Sequence, residues 1–246
     1  MIRNRKHLHS DKTFKVSPTN PAPTQVEMIN QFTRRKFTAE EIYIGQLRLA
    51  HNAIDRDEER FSEEVLERFK ETIVRRTMLF DHAKYDSKTN AIGKFFDVEY
   101  ETMPIEQARE ILGEDIQLPK GVAEVKILAP WFYIPVEGID KQLLVKIDAG
   151  IYEYASIGFR AESRVPVTDK NGNILYHEYR GTGKNTEALE GSLVYLGAQP
   201  GMGVKSNSSQ INFTSLNDDI NLLVPGDDRK FSSRASDNED DLLIPG

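Results

Sequence analysis

Between residues 39 and 203 the chain is written in short stretches of alternating apolar and polar residues, punctuated by Gly, Pro, Asn and Asp. A period of two sends alternate side chains to opposite faces, which marks half-buried strands and commits the region to sheet. Residues 41–50 read as one such strand, with Ile42, Ile44 and Leu47 apolar. Residues 78–82 form a short apolar strand, and residues 94–100 alternate with Phe96, Val98 and Tyr100 on one face. Further strands are predicted at 122–128, 153–160 and 188–196, with a hairpin across Asn171-Gly172, the strongest short hairpin signal. Residues 61–76 instead carry a helical stripe of Val65, Leu66, Phe69 and Ile73 behind Ser62 as N-cap and Glu63 and Glu64 in the first turn. Shorter helices are predicted at 104–113, from Pro104 to Gly113, and at 141–149, stopped by Gly150. About seven strands with two or three helices predict a mixed, mostly β domain: a β-barrel or sandwich with helical decoration.

The flanks are of another kind. Only 39% of the 246 residues are hydrophobic, below the roughly 45–50% of ordinary globular domains. Residues 1–38 hold eight Lys/Arg and two acids and contain the Pro-rich SPTNPAPTQ. They read as a disordered basic arm. Residues 204–246 hold four Lys/Arg and eight acids among many Ser and Asn, and read as a disordered acidic tail. Within that tail, the acidic pair Asp218-Asp219 precedes Leu222-Leu223-Val224-Pro225-Gly226, and Asp240-Asp241 precedes Leu242-Leu243-Ile244-Pro245-Gly246. A recurring Leu-Leu-x-Pro-Gly frame behind two acids fits a docking element, or equally a coincidence of low-complexity sequence. No apolar run approaches the about 18 residues of a membrane span, and no apolar stretch follows the basic start, so neither a membrane partner nor a secretory signal is expected. The net charge of −7 disfavours a general nucleic-acid binder, for which the basic arm is the only support.

The chain has no Cys. That excludes disulfides, thiolate nucleophiles and Cys-type zinc sites, and it fits a reducing compartment. Nucleophilic chemistry would then need a Ser or Thr activated by one of the five His residues. His7 and His9 fall in the arm and His177 in the hairpin, whereas His51 and His82 end strands. Ser156 stands on a strand face with Tyr154, Gly158 and Arg160, its other face being Glu153, Ala155, Ile157 and Phe159. Gly158 on that face leaves space for a peptide or its oxyanion. The same parity puts Met78, Phe80 and His82 together and turns Asp81 away, so that Asp81 is poorly placed to orient the His82 ring. On the last strand, Glu190, Ser192 and Val194 share a face. A carboxylate there needs a partner, either a His⁺ or a Lys/Arg on a half-exposed strand.

Four segments resemble the tailed-bacteriophage prohead maturation proteases: Leu79-Phe80-Asp81-His82, then Ile92-Gly93-Lys94, then Ser156-Ile157-Gly158-Phe159, then Glu190-Gly191-Ser192-Leu193-Val194 leading into Gly197-Ala198-Gln199-Pro200. Asp55-Arg56-Asp57-Glu58 before the long helix adds to the likeness. That family is similar in fold and active-site plan to the herpesvirus assembly protease, assemblin. The resemblance spans about 42–204 and implies a serine protease domain, bounded here at 39–203. It assigns Ser156 as nucleophile, His82 as general base and Glu190 as the acidic third member. Gly191 and Gly197 depart from the family's Val and Pro. For the oxyanion, Gly197 and Ala198 would supply backbone N–H groups. Arg160, on the Ser156 face, would support it directly or through water, unless it forms a surface ion pair.

The resemblance further implies a serine endopeptidase, without cofactor or metal, that cleaves phage scaffold and major capsid proteins, and itself, inside the procapsid in the host cytoplasm. It leaves room for a homodimer. Two other readings are weighed against it. One is a catalytically inactive capsid scaffold or core protein of the same fold, suggested by the acidic tail and its repeat. The other is a metal-dependent hydrolase using Asp81, His82 and Asp86, which the parity at Asp81 disfavours.

Overall fold

The computed structural model describes residues 21–82 and 90–205. His7, His9, Asp86 and both Leu-Leu-x-Pro-Gly elements lie outside these residues, as does nearly all of the expected acidic tail. In chain order the elements are α1 (Pro23–Asn30), β1 (Ile42–Arg48), β2 (Ala50–His51), β3 (Glu59–Phe61), α2 (Glu63–Ile73), β4 (Thr77–Phe80), β5 (Ala91–Pro104), α3 (Ile105–Leu112), β6 (Glu124–Pro135), α4 (Lys141–Asp148), β7 (Tyr154–Arg160), β8 (Ser163–Thr168), β9 (Ile174–Arg180), β10 (Glu187–Val194) and β11 (Gly203–Val204). The protein is mixed and mostly strand, as expected.

Eight strands make one sheet in the order β1-β11-β7-β10-β4-β5-β6-β2, and β1 pairs with β6 as well as with β11. Most pairings are antiparallel, but β10 and β4 run parallel. A smaller sheet, β3-β9-β8, contains the predicted hairpin around Asn171-Gly172, where Gly172 adopts φ +85°. The Asp169 carboxylate accepts the backbone N–H groups of Asn171 and Asn173 and closes that turn.

The main core lies where α2 meets the sheet. The Ser62 hydroxyl caps α2 by accepting from the Val65 N–H, and Val65, Leu66, Phe69 and Ile73 are all buried. Burying each contributes about 1.5–3 kcal/mol relative to leaving it exposed. They pack with Leu47, Phe95, Phe132, Ile157 and Leu193, and Phe61, Phe69, Phe159 and Tyr179 interlock as edge-to-face rings. Gly191, one of the departures from the family pattern, belongs to this packing. A Cβ there would lie 2.6 Å from the Phe95 ring and 3.0 Å from Leu49, so the large neighbours occupy the space a Val side chain would fill.

Two expectations are corrected. Residues 22–38 are not part of a disordered arm. Pro23 opens α1, and fully buried Ile29 packs with Ile42, Ile44, Phe96 and Tyr133. Asn30 fixes the return of the chain, its Nδ2 donating to the Phe37 carbonyl and its Oδ1 accepting the Phe37 N–H. Eight helical residues between prolines and polar residues show too little periodicity to stand out in the sequence. Their packing also explains why β1 is buried on both faces. The second correction is in β5. Phe95 enters the main core and Phe96 lies under α1, and a register shift between Phe95 and Asp97 puts Val98 and Tyr100 on the Phe95 side rather than with Phe96, so simple alternation along residues 94–100 does not hold.

Candidate active site

β7, β10 and β4 lie side by side and carry the candidate residues. In the antiparallel β7–β10 ladder Ser156 stands opposite Ser192, and Gly158 opposite Glu190. In the parallel β10–β4 ladder Glu190 stands beside Thr77 and Leu193 beside Phe80. Glu190 and Ser192 share a face, as parity predicted, and the ladder register makes it the face that carries Ser156. A register shift between Ala188 and Glu190 leaves this relationship intact from Glu190 onward.

His82 reaches that face by another route than parity. β4 ends at Phe80, and Asp81 takes the left-handed conformation with φ +63°. The ladder holds the turn, since the Asp81 N–H donates to the Leu193 carbonyl at 2.8 Å. Turning the backbone at Asp81 releases His82 from the inward face of Met78. Its Nδ1 comes to 2.8 Å from Glu190 Oε1. Asp81 is thus not the ring's partner, but its Oδ1 accepts the His82 backbone N–H. The conclusion drawn from parity stands while its premise fails. Asx residues visit the left-handed region more readily than most, and that is the one signal of the turn in the sequence.

The electrostatics follow from this contact. The His82 side chain is 41% exposed and that of Glu190 only 17%, an accessible imidazole against a sheltered carboxylate. The hydrogen bond from Glu190 raises the His82 pKa above its ordinary value, partial burial opposes that rise, and the charges of Glu190 and Asp81 add to it. The Glu190 carboxylate is itself fixed. Its Oε2 accepts from the Ser192 hydroxyl, and Ser192 is fully buried. Ser192, a second hydroxyl on the face, is therefore spent on orienting Glu190. The Glu190-x-Ser192 spacing, two residues apart on one strand face, is the sequence signal for that role.

Gly158 serves a different purpose from the one expected. The space above it is filled by Glu190: a Cβ at residue 158 would lie 2.1 Å from Oε1 and 2.8 Å from Cδ. Gly158→Ala should consequently displace the carboxylate and break its contact with His82. A drop in the His82 pKa, followed by NMR titration, is the expected result. An unchanged titration would show that the carboxylate keeps its contact with His82 despite the added methyl group.

The three expected oxyanion groups separate. Arg160 lies four residues from Ser156, about 13 Å along the strand. Its side chain is 68% exposed and paired with Glu187 at 3.5 Å, so the surface ion pair describes it and the structure does not bring it to Ser156. Gly197 and Ala198 do come close. A Cβ on Gly197 would meet the Ala155 carbonyl oxygen at 2.6 Å, which accounts for glycine at that position. Ala198 and Gln199 border a cavity of about 70 Å³ lined by Ala155, Ile157 and Phe159, on the core side of β7, the face opposite the Ser156 side chain. Among the described residues the Ser156 hydroxyl makes no hydrogen bond to His82; in unliganded active sites such bonds are often long and tighten on binding.

His51 occupies a separate, buried position. Its Nδ1 accepts the Ala53 N–H, and its Nε2 has no partner of good geometry although the Pro200 carbonyl lies near. Burial lowers its pKa to about 4. The unfolded chain binds that proton near pH 6.5 and the folded one does not, so stability falls as pH drops from about 6.5 to 4, by up to about 3 kcal/mol. His82 works in the opposite sense, its raised pKa adding stability below pH 6.5 that is lost as pH rises through the folded value. Denaturant midpoints at pH 7 and 5 should therefore show a loss in the unmodified chain that is smaller in His51→Gln. Equal losses in the two would contradict a buried neutral His51.

Compared with known proteins, the chain matches no family model, no curated protein and no solved structure.

Proposed function

We propose that this chain is a serine endopeptidase of the prohead-maturation type, acting by Ser156-His82-Glu190 acyl transfer. The observation that carries the proposal is the 2.8 Å contact between His82 Nδ1 and Glu190 Oε1 beside the strand pair that holds Ser156 opposite Ser192. With Nδ1–H donated to Glu190, Nε2 is the basic nitrogen. It takes the Ser156 proton as Oγ attacks a peptide carbonyl, and the sheltered carboxylate stabilises the imidazolium that forms. That proton then passes to the leaving amine, and water releases the acyl group by the reverse path. The ring of strand pairings that returns from β6 to β1 we read as a barrel, the architecture that the resemblance to assemblin implies.

The substrates of this reading are scaffold and major capsid proteins within an assembling procapsid, and the chain's own tails. A second reading, an inactive scaffold or core protein of the same fold, is favoured by one observation: the Ser156 hydroxyl is not hydrogen-bonded to His82. Intact mass over time separates the two. The purified 28.0 kDa chain should shorten on incubation, and Ser156→Ala should not. A chain that keeps its full mass, and leaves co-expressed capsid and scaffold proteins uncut, would support the inactive reading.

A further inference from the structure

We infer that Arg56 and Gln199 are positioning residues that hold the backbone of residues 197–199 as the oxyanion-binding segment. The inference rests on the acyl-transfer reading above and deepens it. Among the described residues, the N–H groups of Ala198 and Gln199 find no acceptor, while the carbonyls of Gly197 and Ala198 are held. Arg56 donates from its guanidinium to the Gly197 carbonyl at 2.9 Å and from its backbone N–H to the Ala198 carbonyl at 3.4 Å. In a trans peptide the C=O and the following N–H point in opposite directions. Fixing the Gly197 and Ala198 carbonyls towards Arg56 therefore fixes the Ala198 and Gln199 N–H groups away from it.

The segment is clamped from its other end by Gln199. The side-chain Oε1 accepts the His51 backbone N–H at 2.8 Å and Nε2 donates to the His51 carbonyl at 3.0 Å. This two-bond clamp is buried and ties the segment to β2, a strand of the main sheet. Gly197 meanwhile rests against the Ala155 carbonyl, the peptide next to Ser156. A segment with its carbonyls held, its side chain locked and its N–H groups unspent, beside the candidate nucleophile, has the preorganisation that developing negative charge requires. Loss of one such donor typically costs about 10²–10³ in rate, and misplacing one should cost somewhat less.

A fluorophosphonate probe tests this without a known cleavage sequence. Ser156 Oγ forms a bond to phosphorus as the P–F bond breaks, fluoride leaves, and the serine proton passes to His82. The phosphoryl oxygen gains charge in the transition state and calls on the same donors. The full chain should be labelled at Ser156, and Arg56→Met should lower the second-order labelling rate about 10- to 100-fold at an unchanged unfolding midpoint. Arg56→Lys, which keeps a donor, should restore most of the rate. Arg56 is exposed, so its replacement leaves the fold standing. Gln199→Met carries no charge change, and a comparable loss there separates positioning from a direct effect of the guanidinium charge. Labelling of Arg56→Met within twofold of the unmodified chain would overturn the inference and leave the acyl-transfer reading in place. An unmodified chain that takes no label at Ser156 would overturn that reading, and the inference with it.

Discussion

Ser156→Ala is expected to lower peptide hydrolysis by about four orders of magnitude or more while leaving the fold intact. The change removes one hydroxyl from a half-buried strand position that makes no hydrogen bond among the described residues, so little stability depends on it. Ser192→Ala is the informative contrast. Ser192 is fully buried and bonded to Glu190, so its loss should loosen the carboxylate and leave an activity well above that of Ser156→Ala. Assays of kcat alongside thermal unfolding would check both. If Ser192→Ala were the more damaging of the two, the nucleophile would be Ser192 and the β7 assignment would fall.

Glu190→Gln is expected to cost about 10³–10⁴ in kcat, since an amide can hold the wrong tautomer of the ring and cannot balance its charge. It should also move the pH profile. In the unmodified chain the hydrogen bond and charge of Glu190 raise the His82 pKa, so the acid limb of kcat/KM, which requires neutral imidazole, should lie above the ordinary histidine value. Removing the carboxylate leaves the opposing effect of burial dominant, and the limb should shift to lower pH. Asp81→Asn should be far milder in rate, because Asp81 meets His82 through the backbone N–H and not through the ring. A larger loss in Asp81→Asn than in Glu190→Gln would show that the Asp81 carboxylate, not that of Glu190, governs the base, since Asn keeps the left-handed turn.

Much of this geometry could be read from residue order alone, for identifiable reasons. The helix over α2 was legible because cap, first-turn acids and apolar stripe agree, and Ser156 with Gly158 on β7, and Glu190 with Ser192 on β10, were each placed on one face of their own strand because period-two alternation survives there; the register that joins the two faces was not legible. What escaped were the places where the backbone leaves its period. The turn at Asp81 moves His82 across the sheet, and the register shift after Phe95 parts Phe96 from Val98 and Tyr100, which join the other core. α1 was hidden for want of length. The role of Gly158 escaped because it depends on a neighbouring strand: the space it leaves is taken by Glu190, and pairing register cannot be read from one strand. Arg160 was credited with reach because it shares a face with Ser156, yet four residues of extended chain and a competing Glu187 keep it away. Arg56 and Gln199 touch residues more than a hundred positions distant, 197 and 51 respectively, and no local pattern announces such contacts.

The central claim is that Ser156 is made nucleophilic by His82. Intact-mass and peptide mapping of the full chain after exposure to a fluorophosphonate addresses it most directly. The account predicts a single adduct on Ser156, its formation rising with pH through the His82 titration and lost in His82→Ala. An adduct on another serine, or labelling of Ser156 that persists undiminished in His82→Ala, would contradict it.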